Sequence, residues 1–378
     1  MAAMSARSTN RLRQAKRVII KIGSSLLVDQ QTGDLRRDWL DALADDVAVC
    51  RQRGQDVLLV SSGAIALGRR SLDLGARSLR LEDSQAAAAA GQIRLAHAYQ
   101  ESLARHGVPV AQILLTGDDT ERRRRYLNAR NTLLALLSHG SVPVVNENDT
   151  VATEEIRFGD NDRLAARVAA MIGADCLVLL SDIDGLYSED PRQNGGADFI
   201  AEVAEITPEI EAMAGATGSH DGSGGMVTKL QAARMAAQAG CSMVIADGRA
   251  AHPIAALEDS GRGTWFTTSA TPASARKRWI AASLHARGSI TIDAGAARAL
   301  NQGKSLLPAG VTAVEGDFQR GDAVVVRDPD GLALGRGLTA YSTADARRIK
   351  GHRSSEIQSI LGFLGREEMI HRDDLVLG

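Results

Sequence analysis

The chain reads as an α/β protein: a three-layer αβα sandwich with a mainly parallel sheet, followed by a smaller β-rich domain. Three observations predict this. Short, continuous apolar runs recur along the first two-thirds of the chain, as strands buried on both faces require. Stretches of helical periodicity separate them, and strand–helix alternation implies a parallel sheet covered on both sides. Near residue 270 the pattern changes to short strands and glycine turns.

Residues 1–16 contain Arg and Ser but no acid and lack the hydrophobic core of an export signal, so they read as a disordered leader. Arg17-Val18-Ile19-Ile20-Lys21-Ile22 is a buried strand running into Gly23-Ser24-Ser25. Further strands are expected at 56–61, 109–115, 142–146, 176–181 and 243–246, and helices at 36–53, 84–106, 122–138, 162–172 and 227–239. The alanine run Ala86 to Ala90 reads as helix packed closely on a neighbour, and the basic run Arg122 to Arg125 as a solvated helix face or a contact for an anion or subunit. Thr271-Pro272-Ala273-Ser274 and the basic Arg276-Lys277-Arg278 read as a linker spanning 271–287. The first domain is then 17–270 and the β-rich one 288–378.

Composition narrows the class. With 44% hydrophobic and 24% charged residues this is ordinary globular material, and a formal net charge of −2 implies no polyanion partner. Aromatics are 3%, too few for stacking on bases. Cys50, Cys176 and Cys241 are far apart in apolar surroundings and read as buried reduced thiols of a cytoplasmic protein. No apolar run approaches the ~20 residues of a membrane helix.

The chemistry concentrates where strands end, which is where open parallel sheets bind ligands. Asn146-Glu147-Asn148-Asp149 and Gly159-Asp160-Asn161-Asp162 crowd acids and amides into two loops, costly unless something cationic or hydrogen-bonding sits among them. Taken singly, each also reads as an Asx-rich turn capping the helix from Asp162. Lys21 and Gly23 end the first strand, suited to bring a charge and backbone N–H groups to a phosphate. A second glycine-rich loop, Gly222-Ser223-Gly224-Gly225-Met226, enters a helix with Lys229 in its first turn, an anion site by its free N–H groups and dipole. Each lysine alone also reads as a solvated one, Lys21 snorkelling from a strand end. There is no Walker A motif: Gly303-Lys304-Ser305 imitates its end, but Arg298 stands at the first glycine position. No G-x-G-x-x-G follows a strand, which argues against a Rossmann dinucleotide site.

Together these segments resemble the amino-acid kinase family, over nearly the whole chain. They are Lys21-Ile22-Gly23-Ser24-Ser25, Ser61-Ser62-Gly63-Ala64-Ile65-Ala66, Asn146 to Asp149, Gly159 to Asp162, Ser181-Asp182 and Ser223-Gly224-Gly225-Met226-Val227-Thr228-Lys229. The paired acidic loops and the Gly-Gly-Met-x-Thr-Lys segment resemble the branch that phosphorylates the γ-carboxylate of L-glutamate with ATP, the first step of proline biosynthesis. The resemblance implies Lys21, Lys229 and Asp162 as catalytic residues, with Asp162 holding both lysines. It implies Ser62, Gly63, Asp149 and Asn161 at glutamate. Lys21, Gly23, Ser181, Asp182, Ser223, Gly224, Gly225, Met226, Val227, Thr228 and Lys229 would line ATP. Mg2+ accompanies ATP, held mostly by phosphate oxygens and water. The family further implies a homo-oligomer (dimer or tetramer), feedback inhibition by proline, and coupling to glutamate-5-semialdehyde dehydrogenase. Rival readings are another carboxylate or carbamate kinase of the same fold, or an amino-acid sensor without catalysis.

The C-terminal segment resembles a PUA domain, a compact pseudo-barrel found on RNA-modifying enzymes. That raises a rival of another class, an RNA-binding protein. Residues 276–378 carry 15 Lys/Arg and 12 Asp/Glu, a net of +3, against 29 and 34, a net of −5, in residues 1–275. A dedicated RNA binder is far more basic, so RNA is expected to bind weakly and not as the main ligand.

Overall fold

The computed structural model describes residues 11–29, 31–75, 78–152, 160–215, 225–282 and 286–377. The chain divides into two compact units, Met1–Pro272 and Ala273–Gly378.

The first unit is built on an eight-stranded sheet. Its strands are β1 (Arg17–Ile22), β2 (Asp56–Ser61), β3 (Val110–Leu115), β4 (Val142–Glu147), β5 (Cys176–Ser181), β8 (Glu202–Val203), β9 (Ser242–Asp247) and β10 (Thr264–Phe266). Two-residue strands β6 (Leu186–Tyr187) and β7 (Phe199–Ile200) form a separate antiparallel pair. The order in the large sheet is β3-β4-β2-β1-β5-β9-β10-β8. All pairings from β3 to β9 are parallel, while β10 runs antiparallel to β9. The sheet is therefore mainly parallel, as the continuous apolar runs require.

Helices cover both faces, and the alternation of side chains along β1 shows how. Val18, Ile20 and Ile22 pack with α1 (Arg37–Gln52), α2 (Ala64–Ser71), α3 (Leu81–Ala104) and α7 (Pro253–Ser260). Ile19 packs on the opposite face with α4 (Arg123–Ser138), α5 (Asp160–Ile172) and α6 (Met226–Gln238). α2 and α3 cross at glycines: a Cβ on Gly68 would lie 1.7 Å from the Ala87 carbonyl oxygen, and one on Gly91 1.8 Å from that of Ala64. The alanine run sits at this close crossing.

Two expectations are corrected. The leader read as 1–16 is structured at its end: residues 11–14 are helical, Leu12 and Ala15 are buried, and the Gln55 amide donates to both their carbonyls. Their spacing, i and i+3, was hidden among arginines. The stretch read as a linker forms helix α8 (Pro272–Ala282), because proline at a first helical position starts a helix as readily as it marks a turn.

The second unit carries its own sheet, ordered β12-β11-β13-β14-β15, from β11 (Gly288–Ile292), β12 (Val311–Gly316), β13 (Ala323–Arg327), β14 (Ala333–Leu338) and β15 (Leu375–Leu377). Its core gathers Ile290, Phe318, Val324, Val326, Tyr341, Ile349 and Ile370. α8 belongs to this unit's packing: Ile280 is fully buried against Ala323 and Leu338, and Arg276 bonds Asp374.

Candidate active site

Because Lys21 shares its strand face with Ile19, it emerges on the side where α5 and α6 begin. Asp162 lies in the first turn of α5 and Lys229 in the first turn of α6. The three meet. Lys21 Nζ is 2.6 Å from Asp162 Oδ1, and Lys229 Nζ is 3.4 Å from Asp162 Oδ2. The Thr228 hydroxyl donates to the same Oδ2 at 3.1 Å. Asp162 is fully buried, and the lysines are only 8% and 7% exposed.

Burial pushes the Asp162 carboxyl up, but the charges of Lys21 and Lys229 more than cancel this and hold it below the usual carboxylate range. Burial pulls the Lys229 ammonium below its ordinary value; Asp162 offsets this in part, and Lys21 adds to it. Asp162 thus stays ionised while serving two cations, and burial still outweighs the acids around Lys229, with Asp182 adding to Asp162. An arriving phosphate would raise Lys229 again.

A second polar group lies at the ends of β2 and β4. Asn161, beside Asp162, donates through Nδ2 to Ser62 Oγ at 2.6 Å and to Asn146 Oδ1 at 3.2 Å. Gly63 follows Ser62 at φ +108°, the left-handed region that favours glycine, and opens α2. Helix α3 approaches from the opposite face of the sheet. Its Tyr99 hydroxyl is 2.9 Å from Ser61 Oγ, and its Gln92 Oε1 accepts from Asn146 Nδ2 at 2.8 Å. Asp149, in the turn after β4, has no hydrogen-bond or ion-pair partner among the described residues, and burial pushes its carboxyl up to about 6.

On the other side of β1, Ser181 and Asp182 end β5. The Ser181 hydroxyl donates to Asp182 at 3.2 Å, and Arg192 pairs with Asp182 at 3.0 Å. Burial raises the Asp182 carboxyl, but Arg192 outweighs it and holds it low. Gly23 follows β1, and a Cβ there would make ordinary contact with the Leu180 carbonyl oxygen at 3.9 Å. Gly225 caps α6, Met226 is buried, and Val227 is 48% exposed. Ser223, Gly224 and Gly159 lie outside the described residues. Ser62, Asn161, Asp162, Lys21, Thr228 and Lys229 thus form one connected group. Asp149 and Asp182 follow the strands β4 and β5, and the Asp182 charge reaches Lys229.

A profile of the amino acid kinase family matches residues 16–247, and one of the PUA domain matches 288–361. The chain belongs to the amino acid kinase family. Among its relatives in this family are the glutamate 5-kinases of Paramagnetospirillum magneticum, Dinoroseobacter shibae and Rhodopseudomonas palustris. They are 63%, 60% and 58% identical to it, with alignments covering 97% of this chain and 99%, 99% and 98% of theirs.

Reading the sequence as an amino acid kinase did not single out Gln92 or Tyr99. The available signal was a long polar residue on the buried stripe of α3, among Ala87, Ala88, Gly91, Leu95, Ala98, Ser102 and Leu103. Asn146 was visible in its motif, but its place at the centre of the amide chain was not.

Proposed function

We infer that the protein transfers the terminal phosphoryl group of ATP to the side-chain carboxylate of L-glutamate, giving γ-glutamyl phosphate and ADP. This is the first step of proline biosynthesis. The observation that carries it is end-to-end similarity to glutamate 5-kinases, extending through both units.

The local chemistry agrees. A glutamate side chain, with a reference pKa of about 4.3, is already an ionised nucleophile at neutral pH, so no general base is needed. The difficulty is bringing two anions together and relieving charge on the moving phosphoryl. Lys21 and Lys229, held by Asp162, would flank that group, with backbone N–H groups of Gly23 and Gly63 beside it. Ser62, Asn161 and Asp149 would hold glutamate; the uncompensated Asp149 suits an ammonium. Ser181, Asp182 and the segment from Ser223 to Lys229 would line the nucleotide.

Magnesium would enter with ATP. Among the described residues no three or more His, Cys, Asp or Glu gather as a metal site, and Asp162 is engaged by two lysines. Phosphate oxygens and water would supply most of its ligands, and its role would be to neutralise phosphate charge. Proline feedback, a homo-oligomer, a cytoplasmic location and delivery of the labile acyl phosphate to glutamate-5-semialdehyde dehydrogenase complete the reading. Among the described residues no helix is long and apolar enough to cross a membrane.

The test is ADP release with L-glutamate and magnesium, with hydroxylamine to trap the acyl phosphate. Hydroxamate formed only with glutamate is expected. Equal turnover with aspartate or N-acetylglutamate would refute the assignment.

A further inference from the structure

We propose that Gln92 is a positioning residue for the amino-acid substrate: by accepting from Asn146 Nδ2 it holds in place a chain of side-chain amides in which Asn161 offers the ligand only an acceptor. The proposal rests on the function inferred above and adds to it a determinant of substrate choice on α3.

The direction follows from groups that cannot reverse. The backbone N–H of Glu147 donates to Asn146 Oδ1 at 2.9 Å. A backbone N–H can only donate, so that end of the amide must be oxygen. Asn146 Nδ2 then points toward α3 and needs an acceptor, which is Gln92 Oε1 at 2.8 Å. Asn161 Nδ2 faces Asn146 Oδ1 at 3.2 Å and the Ser61 carbonyl at 3.4 Å, both acceptors only. The Asn161 amide is thereby fixed, and its Oδ1 is left buried without a partner among the described residues. A buried lone acceptor is costly until a donor reaches it. Asp149, half-buried and without a cation among the described residues, makes the same demand three residues beyond Asn146. The two together select a ligand nitrogen that is charged and carries several N–H groups.

Gln92 itself is poorly explained by stability. Its Nε2 is buried with no partner among the described residues, and a methionine of similar volume would fill the place without that cost. Its oxygen has a use, the Asn146 amide. Gly91, beside it, lets α3 lie against α2 closely enough for Gln92 to reach β4.

The experiment uses the full chain with Gln92→Met and Gln92→Glu. The Glu variant keeps an acceptor oxygen toward Asn146 and, protonated in this buried place, a donor where Nε2 stood. Four quantities are measured: kcat, the KM values for L-glutamate and ATP, and the Ki of glutarate, the same diacid without the amino group. Gln92→Met is expected to raise the glutamate KM about 10- to 100-fold, the scale of a hydrogen bond to a charged group. The ATP KM and the glutarate Ki should stay unchanged, and Gln92→Glu should restore the glutamate KM. A merely structural role would weaken glutamate and glutarate alike, and that parallel loss would overturn the proposal. So would an unchanged glutamate KM in folded Gln92→Met, or a Glu variant as impaired as the Met one. If Gln92→Met does not fold, Gln92→Glu decides: a normal glutamate KM supports the proposal and a raised one defeats it. Absence of glutamate-dependent turnover in the unmodified protein would instead defeat the underlying function.

Discussion

One carboxylate, Asp162, holds two lysines at the ends of different elements, so each lysine can be removed without opening a core. Lys21→Ala or Lys229→Ala is expected to lower kcat by about 10²–10³ with the fold retained, as for loss of one charge-stabilising donor at a transition state. Circular dichroism and steady-state kinetics on both variants check this; unchanged kcat would make the pair structural. Asp149 makes a different prediction. Moving a carboxyl from 3.8 to about 6 corresponds to roughly 3 kcal/mol against its ionised form in the fold. For a carboxyl raised by folding, that penalty is absent below about pH 4, grows between 4 and 6, and is complete above. Asp149→Asn should therefore raise the melting temperature of the ligand-free protein at neutral pH, not at pH 4, while greatly raising the glutamate KM. In the unmodified protein that KM should climb as pH falls below about 6. A lower melting temperature in Asp149→Asn would show that the charge is compensated. The lysines and Asp162 were legible in sequence because glycines and strand ends mark them. Gln92 and Tyr99 were not, because a residue on a buried helix stripe meets its partner only through tertiary packing.

Among the elements, the crossing of α2 and α3 is the tightest contact described. Gly91→Ala would drive a Cβ into the backbone of Ala64, so the helices must separate. Overpacking of this kind costs about 1–3 kcal/mol. A melting temperature lower by about 2–10 °C is expected for a unit of this size. Because α3 carries Gln92 and Tyr99 to the amide group, the glutamate KM should rise while the ATP KM holds. A normal glutamate KM in the destabilised variant would uncouple α3 from the site. The long apolar runs are legible as strands, since four to six buried residues in succession, as in β1, β2, β4, β5 and β9, leave few alternatives. The short strands β6, β7, β8 and β10 were not foreseen: two or three residues carry no periodic signal. Helix α8 was missed because its opening residues, Thr271-Pro272-Ala273-Ser274, have the composition of a turn.

For the molecule as a whole, all residues assigned to chemistry lie in the first unit, and each unit has a core of its own. A chain ending after Pro272 should fold and still form hydroxamate with glutamate. The cut belongs after Pro272, because Thr271 and Pro272 pack closely over Gly240. Complete loss of activity in a folded truncation would mean that the second unit completes the site. Intact protein should bind a structured RNA weakly, with affinity falling as salt rises. The strand order has a consequence for synthesis. β1 is the first strand made and lies in the middle of the sheet, between β2 and β5. The ribosome completes its second neighbour only after Ser181 is added. At about 5–20 residues per second, that delay is roughly 10–30 s. Throughout it, one side of an apolar strand waits without its hydrogen-bonding partner, a template for pairing with other chains. Growing chains of this protein are therefore expected to depend on ribosome-associated chaperones most while residues 23–175 are being made, and much less once β5 has emerged.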